Sequence, residues 1–330
     1  MRHGGRMATT RRAALGAAAV FVARGAARAQ PGFPSHPIRW VVNFPPGGAA
    51  DFLSRSLAER ATPRLGQPVV VENRPGAGGM LGADLVAKAR GDGHVLIASN
   101  LASHAISPAI YPAVPYDPVA DFTHLALMGT LPQVLAVNPS FPAATVEEFV
   151  AEAKRRPGGV EYGSGGNGTS NHFLGAMLAR AAGVPLVHVP YRGSAPALAD
   201  TISGQIPALF ESLPTAVGHI RAGRLRAIAV SGAGRAAALP DTPSFAERGL
   251  PEVEATGWFG VSAPAGLPPE VAARLATELG AALASPDIRN RFAEVGVEAG
   301  TMSPPEYTAF VRAEAARWKA LAAALGIPVE

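Results

Sequence analysis

Two glycine-rich turns in this 330-residue chain have residue types and spacing that could do chemistry. The first is Asn43-Phe44-Pro45-Pro46-Gly47-Gly48-Ala49-Ala50-Asp51. An apolar strand-like run ends there and a helical pattern begins. The start of a helix carries unpaired N–H groups and a partial positive charge, so it can receive an anion. The small residues Gly47, Gly48, Ala49 and Ala50 allow a ligand to approach the backbone. Asp51 has two readings: it caps the helix, or it meets a ligand's amino or hydroxyl group.

The second turn is Tyr162-Gly163-Ser164-Gly165-Gly166-Asn167-Gly168-Thr169-Ser170-Asn171-His172. It also joins a strand to a helix, and Ser164, Thr169 and Ser170 add hydroxyl donors to the backbone N–H groups. His172 lies beside it as a lining or capping residue. One such turn in each of two lobes would grip a carboxylate from both sides without a buried arginine.

Stronger-sounding motifs fail on inspection. Gly163, Gly165 and Gly168 satisfy GxGxxG, but no Asp or Glu stands between Tyr162 and Ala199 to meet a ribose. Arg192 could meet a 2′-phosphate, which keeps an NADP-binding enzyme as a distant alternative. Thr169 and Ser170 stand where a phosphate-binding loop needs Lys and then Ser or Thr. No serine lies in GxSxG, no cysteine exists, and the eight histidines form no HExxH pair. These gaps predict a protein with no catalytic group, no metal and no cofactor.

Further candidates sit where strands end, which is where open α/β sheets place ligands. They are Ser99 and Asn100 after a third strand, Tyr191 and Arg192 in Val189-Pro190-Tyr191-Arg192-Gly193-Ser194, and Glu211 after Phe210.

Alternating strand and helix patterns position these turns and predict βαβ units with parallel sheets. Strands are expected at 38–44, 69–72, 95–98, 160–163, 186–189, 206–210, 226–230 and 258–263, with another beginning at Gln133. The helix at 51–65 places Leu53, Leu57 and Ala61 on one face. Capping boxes at Thr145/Glu148 and Ser303/Glu306 open two others. The last helix carries a core-facing stripe of Tyr307, Phe310, Val311, Trp318, Leu321 and Leu325.

The first 29 residues read as an export leader. Arg11 and Arg12 precede the apolar run Ala13 to Val22, and Ala27-Arg28-Ala29 is a small-x-small cleavage site. The leader fits either a twin-arginine or an ordinary secretory route, with a start at Met1 or Met7. It holds six of the 29 basic residues and none of the 25 acidic ones, leaving 23 against 25, a net of −2. The pI of 9.7 therefore belongs to the leader and predicts no nucleic-acid partner. With 48 % hydrophobic residues and no cysteine, the exported chain must be held by its core alone.

Taken in order, the motifs resemble one family. They are Pro37-Ile38-Arg39, Phe44-Pro45-Pro46-Gly47-Gly48 with Asp51, and Gly66-Gln67-Pro68 through Asn73-Arg74-Pro75-Gly76-Ala77-Gly78-Gly79. Tyr162-Gly163-Ser164-Gly165, His188-Val189-Pro190-Tyr191-Arg192-Gly193-Ser194, Gly223-Arg224-Leu225-Arg226 and Ala263-Pro264-Ala265-Gly266 follow. The chain resembles the solute-binding component of tripartite tricarboxylate transporters, the Bug family, from about residue 37 to 319. That resemblance implies a type II periplasmic binding fold of two α/β lobes. Lobe 1 would comprise 30–131 and 256–330, and lobe 2 would comprise 132–255. It implies a small carboxylate held by Phe44, Gly47, Gly48 and Asp51 from one turn and by Ser164, Gly165, Gly168 and Thr169 from the other. A periplasmic monomer serving transporter membrane subunits is expected, with a membrane sensor kinase as the alternative partner. Asn43 stands where a proline is common in the family, and could touch the ligand. Gly91-Asp92-Gly93-His94 replaces the usual Pro-Asp-Gly-Tyr.

Overall fold

The computed structural model describes Met1 and residues 32–325. Apart from Met1, the export leader and its cleavage site therefore lie outside the described residues. The strands in chain order are β1 (Ile38–Val42), β2 (Val69–Asn73), β3 (Val95–Asn100), β4 (Phe122–Leu131), β5 (Gln133–Val137), β6 (Val160–Ser164), β7 (Leu186–Pro190), β8 (Ala208–Ser212), β9 (Arg226–Val230), β10 (Gly257–Pro264) and β11 (Glu298–Ala299). The α-helices are α1 (Ala49–Leu65), α2 (Met80–Ala87), α3 (Ser107–Ile110), α4 (Val146–Arg155), α5 (Ser170–Ala182), α6 (Ser194–Ser203), α7 (Leu213–Arg221), α8 (Pro269–Leu283), α9 (Pro286–Glu294) and α10 (Pro304–Leu325).

The strands form two sheets, one per lobe. Their orders are β11-β4-β10-β3-β1-β2 and β7-β6-β8-β5-β9. The chain leaves the first sheet between β4 and β5 and returns between β9 and β10. Neither sheet is purely parallel, contrary to the βαβ expectation. β1 runs parallel to β2 and β3, but β10 is antiparallel to β3 and β4. In the second sheet β5 is antiparallel to β8 and β9. The cause is the passage between lobes: β5 follows β4 after Pro132 alone, so no helix turns the chain back to make a parallel partner.

Local chemistry accounts for several of the helix ends. In α1, Leu53, Leu57 and Ala61 are fully buried, and the helix stops at Gly66, whose φ of 76° suits a left-handed cap. Thr145 caps α4 by accepting a bond from the Glu148 N–H at 3.2 Å. After β3 the chain makes a widened π-type turn over Ala102–Ile106. Such turns gather at functional sites.

The helix α10 ties the lobes together. Tyr307, Val311 and Trp318 are fully buried. The Trp318 ring meets Phe173 of α5 edge-on, with centroids 5.2 Å apart. Glu314 accepts hydrogen bonds from both Trp258 Nε1 (3.1 Å) and Trp318 Nε1 (3.2 Å). Arg180 of α5 donates to the Ala324 carbonyl. One apolar cluster runs through these residues from Leu127 of β4 to Phe210 of β8.

Candidate functional site

Gly48 is the N-cap of α1, and no side chain caps that end. Asp51 does not supply the missing cap. Its Oδ1 accepts from Arg55 Nε and Asn73 Nδ2, both at 2.9 Å, and its Oδ2 accepts from the Gly47 N–H at 3.2 Å. Burial by itself would raise the Asp51 pKa, but these hydrogen bonds outweigh it and hold the carboxyl below its usual range. Asn73 Nδ2 also donates to the Phe44 carbonyl at 3.0 Å. Asp51, Arg55 and Asn73 thus brace the turn from behind and leave the first N–H groups of α1 open to the cleft.

The second turn is braced in a comparable way. Thr169 is the N-cap of α5, and its hydroxyl donates to the Gly166 carbonyl at 2.7 Å. The Ser164 hydroxyl is committed inward to His188 Nε2 at 2.6 Å and to the backbone of Gly166. His188 stacks on His172, with centroids 4.0 Å apart. Burial, with a smaller push from His172, drives the His188 pKa down to about 3, so this ring is neutral at any physiological pH.

Two more helices begin at the same cleft. Gly193 is the N-cap of α6 and Ser212 that of α7, and neither has a side-chain cap. Gly193 has a φ of 113°, and a Cβ there would lie 2.9 Å from Cγ of Pro45 on the opposite lobe. A glycine is required for that close approach.

Between these turns lies a cavity of about 70 Å3. Its wall includes the N-caps of all four helices, Gly48, Thr169, Gly193 and Ser212. The polar side chains are Asn100, Gln133, Thr169, Ser170, Asn171, Ser194 and Ser212. Phe44, Leu101, Trp258 and Phe259 give it an apolar side. Among the described residues, no Asp, Glu, Lys, Arg or His lines it. Gln133 Oε1 accepts from Asn171 Nδ2 (2.7 Å) and Ser212 Oγ (3.3 Å), which sets the orientation of that amide. Asn100 is held by Asn43, whose Oδ1 accepts from Asn100 Nδ2 at 2.8 Å while its own Nδ2 donates to the Gly79 carbonyl at 3.1 Å.

Of the residues singled out from sequence, Phe44, Gly48, Ala49, Ala50, Asn100, Gly165, Thr169 and Ser170 line the cavity. The others lie around it. Gly47 and Asp51 belong to the brace behind the first turn. Asn43 is fully buried and reaches the cavity only through Asn100. Ser99 bonds to Tyr307 and Ser262 beneath the first sheet. Ser164 and His172 face the His188 side of the second turn. Gly168 packs near Ile110. The Tyr191 hydroxyl donates to Asp200 at 2.8 Å, and Arg192 is outside the wall. Glu211 is buried just behind Ser212, whose N–H it accepts at 2.7 Å. Sequence reasoning missed Gln133, Asn171, Ser194, Ser212, Trp258 and Phe259 as wall residues. Pro214, in the first turn of α7, is the sequence cue that could have marked Ser212 as a helix start.

This arrangement can be set beside known proteins. Residues 53–327 match the model of the tripartite tricarboxylate transporter family receptor. BugT of Bordetella pertussis is 36 % identical over 287 residues, covering 87 % of this chain and 88 % of its own. A solved R. palustris protein with adipate superposes with a TM-score of 0.86 at 35 % identity, covering 90 % of this chain and 99 % of that one. MatC from Rhodopseudomonas palustris with bound malate gives a TM-score of 0.83 at 31 % identity, covering 88 % and 99 %. Two α/β lobes, a cleft walled by helix starts and a family match over most of its length lead to one conclusion: the chain belongs to the tripartite tricarboxylate transporter receptors, the Bug-type periplasmic solute-binding proteins.

Proposed function

We propose that this protein captures a small carboxylate between its lobes and presents it to the membrane subunits of a tripartite tricarboxylate-type transporter. The observation that carries the reading is the cavity wall. Four helix N-termini meet there, and among the described residues no charged side chain on the wall competes with or replaces them. Each such terminus favours an anion by about 0.3–1 kcal/mol at an exposed site and by more when partly buried. The ligand carboxylate is held by backbone N–H groups near Gly48, Gly165 and Thr169, and by Asn100, Gln133, Asn171, Ser194 and Ser212. Phe44, Trp258 and Phe259 meet its carbon skeleton. Adipate and malate in the related structures are acids of the matching class.

The lobes divide at 131/132 and 255/256, and the ligand favours the form in which Pro45 closes on Gly193. The protein works as a monomer, without a cofactor, and turns nothing over. It acts in the periplasm after cleavage behind Ala29.

A thermal-shift measurement on residues 30–330 with adipate, malate and their diamides tests this. A ligand bound only to the native state at a hundred times its Kd stabilises it by about 2.7 kcal/mol. The expected result is a raised Tm with an acid and none with its diamide. Gly48→Val, which places a branched side chain toward Ser194 in the cavity, should abolish the shift. Equal shifts with acid and amide would refute carboxylate recognition. An unchanged shift in Gly48→Val would remove the site from the first turn.

A further inference from the structure

Glu211 is an acidic side chain buried against the cavity wall; unlike Asp51, whose oxygens are taken by Arg55, Asn73 and Gly47, it has no basic partner among the described residues, and the carboxylate reading does not use it. It is 1 % exposed. Its Oε1 accepts the Ser212 N–H, while Oε2 is buried with no partner. The Ser194 side chain lies close enough to influence the carboxyl, but it closes no hydrogen bond to Oε2. Ser194 is the first residue of α6 and lines the cavity. Its Oγ lies 3.9 Å from where a Cβ on Gly48 would stand and 3.7 Å from where one on Gly165 would. This hydroxyl therefore sits between the two glycine turns, with the Glu211 carboxyl behind it.

The direction of the Ser194 hydrogen depends on Glu211. An ionised Glu211 can only accept, so Ser194 donates to it and turns oxygen lone pairs to the cavity, where they repel a carboxylate. A neutral Glu211 donates from Oε2 to Ser194 Oγ, which frees the serine hydrogen to point at the ligand. A half-formed buried polar group is costly, so the second arrangement is favoured once an anion is present.

We propose that Glu211 is a proton-linked positioning residue: binding of the carboxylate draws one proton from solvent onto Glu211, which turns Ser194 into a donor to the ligand. The proposal rests on the reading of this cavity as a carboxylate site. Burial already raises the Glu211 pKa to about 7, against smaller opposing effects of Ser194 and the Ser212 N–H, so the group is poised to titrate near neutrality. The elements packed against β8 are β5, β6, α5, α6 and α7. β5 carries no titratable residue. The others carry Glu161 and Tyr162 (β6), His172 and Arg180 (α5), Asp200 (α6), and His219 and Arg221 (α7). Among the described residues, Glu211 makes no ion pair with any of them. Asp200 bonds to Tyr191, and Arg180 to the Ala324 carbonyl.

Isothermal titration of the 30–330 protein with adipate and malate tests the idea. The measurements run from pH 6 to 8.5, in two buffers of different ionisation heat. Uptake of about half a proton per ligand is expected at pH 7, with Kd rising towards tenfold per pH unit above it. Glu211→Gln keeps the donor permanently, so it should bind with a flat pH profile and more tightly than the parent at pH 8.5. If Glu211→Gln does not fold, Ser194→Ala reports instead, because its pH slope should vanish whatever its affinity. Binding with no proton uptake, or a slope that survives Glu211→Gln and disappears in His172→Asn, overturns the role of Glu211. Absence of binding by either acid across the whole pH range would instead count against the carboxylate site itself.

Discussion

Acid should weaken this fold through His124, and the structure sets the size of the effect. His124 on β4 is 2 % exposed. Its Nδ1 lies 2.8 Å from Ser262 Oγ, and Ser262 donates onward to Ser99 at 2.7 Å. Ser262 is therefore the acceptor, Nδ1 carries the proton, and Nε2 is buried without a hydrogen bond. Burial lowers the His124 pKa from 6.5 to about 4, with a smaller opposing pull from the Pro118 carbonyl. The unfolded chain thus binds the proton that the folded chain refuses. The stability contribution is complete above pH 6.5 and is lost as pH falls towards 4. Linkage gives a loss of about 1.4 kcal/mol at pH 5.5 and about 2.5 kcal/mol at pH 4.5, relative to pH 7.5. Glu211 works in the opposite sense, because its raised pKa makes the folded state bind a proton earlier. The parent's total slope is therefore not diagnostic, but the difference from a variant is. His124→Asn keeps a polar partner for Ser262 and cannot take up a proton. Urea unfolding of both proteins at pH 7.5, 5.5 and 4.5 should show the parent's advantage over the variant shrinking by about 2.5 kcal/mol across that range. An advantage that stays constant with pH would refute the assignment.

Two further outcomes follow from contacts at the cleft. Gly193→Ala should hold the lobes apart, because its Cβ would press on Pro45 and its φ would be strained; small-angle scattering with a carboxylate ligand should then show no compaction where the parent compacts. Asn43→Ala should cost about 1–3 kcal/mol in urea unfolding, because Asn100 and the Gly79 carbonyl lose a buried partner, and should weaken ligand binding without any contact to the ligand.

Much of the scaffold could be read from pattern. The apolar face of α1, the Thr145 cap and the stripe on α10 are local signals, and local signals survive in a single sequence. The strand β4 was missed for a physical reason. Seven of the ten residues from Phe122 to Leu131 are polar-free and nearly all are buried, so no alternation marks them, and only Pro132 separates them from β5. The antiparallel placement of β5 and β10 depends on which lobe the chain enters, which spacing does not encode. At the cleft, the two glycine turns were legible because glycine and hydroxyl clusters between a strand and a helix are unusual. The starts of α6 and α7 use one glycine and one serine, which is ordinary helix chemistry, so only their convergence in space distinguishes them. Asp51 shows the converse: its type and position suggest a ligand contact, while Arg55 and Asn73 already occupy its oxygens.

The packing of α10 has a consequence for how the molecule comes apart. Its buried face is shared, with Trp318 against Phe173 of one lobe and Tyr307 beneath the strands of the other. A segment cut at the lobe boundaries would leave that face exposed, so neither half owns a complete interior. The two lobes form one cooperative unit, held at a common seam that reaches Trp258 of the cavity wall. A ligand-linked opening of the cleft would then flex about this seam and leave its buried contacts intact, distinct from any partial loss of structure.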